Sequence, residues 1–269
     1  MLFLDSSLTI ALAGLPLPLA ALAAVGVPVL IALLVGSVIS GIFTQQEFTQ
    51  NAFMASVKYG FVVEIYAAVA ALTLVGAWDI YSTMRDVLQQ EVGGLYMLAL
   101  SVDSFSLAEQ APLREAMRGA IRGYAGDVVA LDWPSLQAGI PSVGSDAAFQ
   151  RLARAFLDAE PLTQGQGALL QNTTQWIAQV GDARIGRLSV TSRTLSGLIW
   201  FLVMMVSVAV ISFQWFFGGP NRGLHIAMGA VTALIVGGVL LVAVKLAHPL
   251  AGDPALLSAR PFLELMQVQ

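Results

Sequence analysis

Side chains able to do chemistry are few in this chain, and their spacing argues against most of the chemistry they would support. The two histidines, His225 and His248, stand at opposite ends of one apolar stretch. At 1.5 Å rise per helical residue they are roughly 35 Å apart, too far to share a metal within one subunit. With no cysteine there is neither a thiolate metal site nor a disulfide. No HExxH, GxSxG, P-loop or glycine-rich dinucleotide turn occurs, so neither an enzyme nor a cofactor is expected. Two features remain. Glu64 is an acid well inside an apolar stretch, where carboxylates tend to face water or a bundle interior and mark ion paths. Its position near one end also allows it to reach the headgroups. Arg114, Arg118 and Arg122 recur every four residues. They form either a basic ridge that concentrates anions or a solvated face with salt bridges to Glu91, Glu109 or Asp127.

The elements that must position these residues belong to a membrane protein. Mean hydropathy is +0.77, with 57% hydrophobic and 11% charged residues, against about a quarter charged in a soluble domain. Crossing a hydrocarbon core takes roughly 20 apolar residues. Residues 195–217 and 224–247 meet this, and residues 8–78 hold a first pair at about 15–43 and 61–78. Four spans are expected, or three if one of the first pair fails. The N-terminus lacks the basic region of a signal peptide, so the first stretch is expected to stay as a span, with Pro16 and Pro18 preceding its helix and Pro28 kinking it. Arg85, Arg184, Arg187 and Arg193 flank the central block, whereas the 41–60 and 218–223 loops carry only Lys58 and Arg222. The positive-inside rule then puts the insert and both termini in the cytoplasm. Trp78, Trp200 and Trp215 lie at or near span ends, as an aromatic belt requires.

The insert, residues 79–193, has nine Arg, no Lys and twelve Asp plus Glu, a mixed surface unlike that of a nucleic-acid binder. Leu88, Val92, Leu95, Ala99 and Val102 keep helical spacing, as do Leu113, Met117, Ile121, Tyr124, Val128 and Leu131, which predicts packed amphipathic helices. Pro112 suits a first turn. Trp133-Pro134 is expected to end that helix, and residues 139–145 read as a loop. Thr163 and Gln166 fit a capping box for a last helix expected to run unbroken into the third span. The fold class is therefore all-α integral membrane, with a helical cytoplasmic insert between the second and third spans and a tail at 248–269. Gly229, Ala233 and Gly237 repeat every four residues along the fourth span, echoed by Ala67 and Ala71 in the second, and suit close helix approach within or between subunits. Ser207, Ser212 and Gln214 give the third span polar groups for packing or for lining water.

The segment 245–262, the segment Tyr124 to Pro134, and Arg184 and Arg187 with Trp200 resemble motifs of the bacterial bestrophin-like domain family. Lys245-Leu-Ala-His-Pro-Leu-Ala-Gly252 followed by Phe262 is similar to its closing motif, with Pro249, Gly252 and Phe262 matching, Ala247 in place of the usual Asp and Leu250 in place of the usual Phe. Tyr124, Val128, Asp132, Trp133 and Pro134 resemble its Tyr…Val…Glu-Trp-Pro segment. Arg184 and Arg187, with Trp200, resemble its Arg-rich approach to the third span. The resemblance covers most of the chain. It implies four spans in a bacterial inner membrane and a remote relation to bestrophin anion channels, which are homopentamers around an axial pore.

Two functions follow as expectations. One is a homo-oligomeric ion channel, anion-selective if the relation holds, whose path is lined by Glu64, Ala67, Ala71 and the Arg114, Arg118, Arg122 ridge. The other is a non-conducting membrane scaffold or sensor whose insert binds a partner. The lipid bilayer is a partner in both.

Overall fold

The computed structural model describes residues 6–140, 142, 144–191, 195–216, 222–252 and 255–267. Among these the regular structure is helical and contains no strand. The chain divides into two compact units. One comprises Met1–Ile80, Thr194–His248 and Gly252–Pro254, and the other Tyr81–Arg193, Pro249–Ala251 and Ala255–Gln269.

The first unit contains α1 (Ser6–Gly14), α2 (Leu17–Ile42), the first part of α3 (Gln45–Val102), α8 (Gly197–Phe213) and α9 (Arg222–Ala247). Four helical stretches are long and apolar enough to cross a membrane: Leu17–Ile39, a section of Gln50–Val102, Gly197–Phe216 and Gly223–Ala247. At about 1.5 Å per residue the 58 residues of α3 far exceed a hydrocarbon core of about 30 Å. Its section between Glu64 and Asp79 is free of charge.

α2 and α9 pack through small residues. Ala20, Ala24, Pro28, Ala32 and Gly36 form a buried row along α2, and Gly229, Ala233 and Gly237 form one along α9. A Cβ on Gly237 would lie 2.4 Å from the Ala24 carbonyl oxygen and 2.9 Å from Val25 Cα, so the two backbones touch. The α9 repeat therefore serves contact within the subunit, against a row on α2 that hydropathy conceals. Its echo at Ala67 and Ala71 is exposed.

The second unit holds the rest of α3, then α4 (Ala111–Asp127), a π-helical turn at Val128–Asp132, α5 (Trp133–Gln137), α6 (Asp146–Leu157), α7 (Gln164–Thr191) and α10 (Arg260–Met266). α3 and α7 also approach closely, since a Cβ on Gly94 would lie 2.6 Å from Val180 Cγ2 and 3.2 Å from the Trp176 carbonyl oxygen.

Four expectations need correction. Residues 41–60 are not a loop, because only Phe43 and Thr44 separate α2 from α3. Thr44 N–H donates to Glu47 Oε2 at 2.7 Å and Glu47 N–H to Thr44 Oγ1 at 3.4 Å, a capping box that starts the helix early. Pro18 does not precede α2 but occupies its first turn, after Pro16 as the cap. Trp133-Pro134 does not stop the helical run. The π turn and α5 carry it to Gln137, with Pro134 in the first turn of α5. Finally, α7 is not continuous with the third span. It ends at Thr191, and Leu195 and Ser196 lie outside any helix, Ser196 capping α8 by accepting from Leu198 N–H at 3.3 Å. Arg193 and most of the 218–223 connection fall outside the described residues.

Gly237→Ala should destabilise the protein by about 1–3 kcal/mol, because the obstructing atoms are backbone. A Cβ on the neighbouring Gly238 meets nothing within 4 Å, so Gly238→Ala should leave stability unchanged or slightly raised. Thermal unfolding of the two variants in detergent distinguishes a close-approach site from a general intolerance of α9 to substitution.

Candidate functional site

The strongest concentration of polar chemistry lies in the second unit, buried rather than in a cleft. α3 supplies Glu91, which sits among Met84, Leu88, Leu95 and Leu98 on the buried face of that helix. α4 supplies Tyr124 and the π turn supplies Asp132. The residue preceding α6 is Ser145, and α7 carries Arg184 and Arg187 one turn apart. Glu91, Asp132 and Arg187 are each 0% exposed.

Arg187 is the hub. Its Nε donates to Glu91 Oε2 at 2.8 Å, and its Nη2 donates to Glu91 Oε1 and Asp132 Oδ2, both at 3.1 Å. Tyr124 donates its hydroxyl to Glu91 Oε1. Asp132 also accepts from Ser142 Oγ at 2.9 Å, from Ser145 N–H at 3.2 Å and from Ser145 Oγ. Arg184 Nε donates to Ser145 Oγ at 3.1 Å, and its guanidinium pairs with Asp146. Both buried carboxylates are thus met from several sides, whereas Arg187 Nη1 is buried without a hydrogen-bond partner. Burial alone would lower the pKa of Arg187, but the Glu91 carboxylate overrides this and holds it above its usual value. Tyr124 is pushed well above its usual range, chiefly by burial and then by the neighbouring Glu91 charge.

The π turn explains why Asp132 joins the cluster. Trp133 N–H bonds to the Val128 carbonyl, five residues back, which adds a residue to the turn. Asp132 is therefore buried, and Leu131, expected on the apolar stripe, is 48% exposed. π turns of this kind recur where a side chain must be re-aimed. A second buried polar clamp joins the starts of α4 and α7. Gln166 Nε2 donates to Gln110 Oε1 at 2.9 Å, and Gln110 Nε2 donates back to Gln166 Oε1 at 3.1 Å.

The basic ridge is partnered along its length. Arg114 donates to the Phe105 and Leu107 carbonyls, Arg118 pairs with Asp103 at 2.8 Å, and Arg122 pairs with Glu115. These are not the acids read from the sequence, since Glu91 holds Arg187 and Asp127 holds Arg151 at 3.2 Å. Glu64, Ala67 and Ala71 lie together on an exposed face of α3. Ser207 and Ser212 Oγ and Gln214 Nε2 are buried without hydrogen-bond partners, Gln214 lying against Gly229.

Residues of the closing motif hold local geometry. Trp133 and Phe262 pack at 6.4 Å between ring centroids, and Pro249 O accepts from Leu257 N–H at 3.0 Å. Within the membrane unit, Lys245 Nζ donates to the Ala13 and Leu15 carbonyls at 2.7 and 3.3 Å, closing the C-terminal end of α1. Gly252 has φ +94°, and a Cβ there would lie 2.4 Å from the Ala13 oxygen and 2.6 Å from Lys245 Nζ, so glycine is needed both for conformation and for space. Trp200 is buried within its unit.

Sequence reading singled out Tyr124, Arg184 and Arg187 but did not unite them, and it missed Glu91 and Ser145 as members of one site. The signal for Glu91 was its place on the apolar stripe, three residues after Leu88 and four before Leu95. Among the described residues no group of acids and histidines could hold a metal.

Arg187→Met should destabilise by about 3–5 kcal/mol, because it leaves two buried carboxylates unpaired. Adding Glu91→Leu to that variant should recover part of the loss, and non-additivity in a double-mutant cycle of thermal melts measures the coupling. Tyr124 gives a pH signature. Its folded pKa lies above the unfolded value of about 10, so its contribution is complete below pH 10 and is lost as pH rises through the folded pKa. Alkaline unfolding curves of wild type and Tyr124→Phe should therefore agree below pH 10 in shape and diverge above it.

Among solved structures, a crystal structure of a membrane protein is similar to this chain, with a TM-score of 0.65 at 7% sequence identity, covering 92% of this chain and 98% of that one. At that identity the likeness is one of fold. No curated protein matches the sequence. The family model of the bestrophin-like domain matches residues 26–256, most of the chain, and takes in α2 from Gly26 onward, the other three apolar helices and every member of the Arg187 cluster. The chain belongs to the bestrophin-like domain family.

Proposed function

We propose that this chain is one subunit of a homo-oligomeric ion channel with an axial path through membrane and insert helices. Family membership supports the class, and the observation that carries the reading is the exposed α3 face bearing Glu64, Ala67 and Ala71. Glu64 bounds the charge-free section of α3, where a carboxylate on a lipid-facing surface has to reach for the headgroups to stay hydrated. Placing that face on a water-filled axis between subunits hydrates the carboxylate where it stands, and the small Ala67 and Ala71 side chains leave the path open. A pentamer is the stoichiometry that the bestrophin relation suggests.

Selectivity follows from which charges line the path. A ring of Glu64 carboxylates favours cations at its level. Arg118 and Arg122 have acidic partners, so the Arg114, Arg118, Arg122 ridge carries a small net positive charge and provides the weaker, anion-attracting element. The proposed orientation has the insert and both termini in the cytoplasm, since the basic residues near span ends favour the insert side.

Purified protein in liposomes should pass salt down a gradient, and Glu64→Gln should shift the permeability ratio of chloride to potassium toward chloride. Flux absent from the pure, correctly inserted protein would remove the channel reading and leave a scaffold whose insert binds a partner. Flux with an unchanged ratio in Glu64→Gln would take Glu64 off the path.

A further inference from the structure

The membrane unit contains a cavity of about 220 Å³ bounded by α1, α2, α8 and α9. It runs along α2 from Ala23 to Ile31 and along α8 from Trp200 to Ile211, lengths of roughly 12 and 16 Å at the helical rise. It is therefore a slot parallel to the spans. Its floor and its rim differ in exposure. Ala24, Trp200 and Ile211 are buried, whereas Leu8, Val27 and Val208 on the rim are exposed. Val27 and Val208 belong to apolar stretches long enough to cross the membrane, so the mouth opens on the surface that meets lipid.

The wall selects the occupant. Apart from Ser207 and Thr9 every lining side chain is apolar. Thr9 is already engaged by His248 Nε2 at 2.9 Å. The Ser207 hydroxyl, buried without a hydrogen-bond partner, is the one remaining polar group. A buried water needs two to four polar partners, which this slot does not offer. The species present at that depth is hydrocarbon. One end, by Thr9 and Trp200, lies at the end of the unit where Lys245 and His248 hold α1, while Ser207, seven residues further along α8 than Trp200, is roughly 10 Å deeper.

We propose that this slot is a binding site for one acyl chain of a bilayer phospholipid, entering between α2 and α8 from the leaflet at the Lys245 end. The chain packs on Ala24, Trp200 and Ile211 and completes the contact between α2, α8 and α9. This site is independent of any ion path.

Trp200 supplies the reporter. With Trp78, Trp133, Trp176 and Trp215 replaced by Phe, the full chain is reconstituted in phosphatidylcholine vesicles whose acyl chains carry bromine near mid-chain, and in unbrominated vesicles. Trp200 is 4% exposed, so strong quenching requires bromine inside the slot. Ala23→Phe, which fills the slot, should cut that quenching at least two-fold. Leu22→Phe, on the exposed neighbouring position outside the lining, should leave it unchanged. Absence of quenching, or equal quenching in the Ala23→Phe and Leu22→Phe proteins, overturns the proposal. Native mass spectrometry of the wild-type chain and the same two single variants gives a second reading that does not need the tryptophan replacements. One phospholipid per subunit should stay on wild type and Leu22→Phe and leave Ala23→Phe. A wild-type chain that retains no phospholipid overturns the assignment, and so does retention equal in all three.

Discussion

The second unit depends on one constraint, that a guanidinium buried at Arg187 must never lack its counter-charges. Taking a charge out of water costs several kcal/mol even after relaxation, so Arg187 is tolerable only where Glu91 and Asp132 reach it together. That requirement fixes the register of α3 against α7, and it needs the π turn that buries Asp132 rather than Leu131. Ser145, Ser142 and Tyr124 occupy acceptor positions that the guanidinium leaves free. The cluster is expensive to assemble and more expensive to assemble partly. It therefore specifies a single packing arrangement more than it adds net stability.

The membrane unit is held by different means. Lipid tails are as apolar as leucine, so helix association there relies on close packing. The small-residue rows of α2 and α9 supply it, to the point that Gly237 rests on the backbone at Ala24. Charge enters this unit as a local fastener, with Lys245 closing α1 and Gly252 making room for that contact. In the second unit Pro249 and Phe262 likewise make local contacts, a turn hydrogen bond from Leu257 N–H and ring packing on Trp133.

Much of the fold was legible from the chain. The all-helical class, the apolar stretches and the α9 repeat follow from composition and period, which are local properties. Other parts were hidden for identifiable reasons. The early start of α3 rests on Thr44 and Glu47, a capping pair that was readable in an apparently loop-like segment. The passage through Trp133-Pro134 depends on a π turn, which ordinary helical spacing does not announce. The buried row on α2 is invisible to hydropathy because alanine and glycine barely register there.

By itself the sequence determined which segments are apolar enough to leave water and which carry helical periodicity, because both depend on neighbours within a few turns. The tertiary structure decided the pairing of charges. Arg187 and Glu91 are 96 residues apart, and from sequence Arg118 and Arg122 looked as free to take Glu91 or Asp127 as the partners they have. Only the packed helices set which acid lies within hydrogen-bond reach of which guanidinium, because ion pairing depends on separation in space and on removal of water, and neither is written in the spacing of the residues.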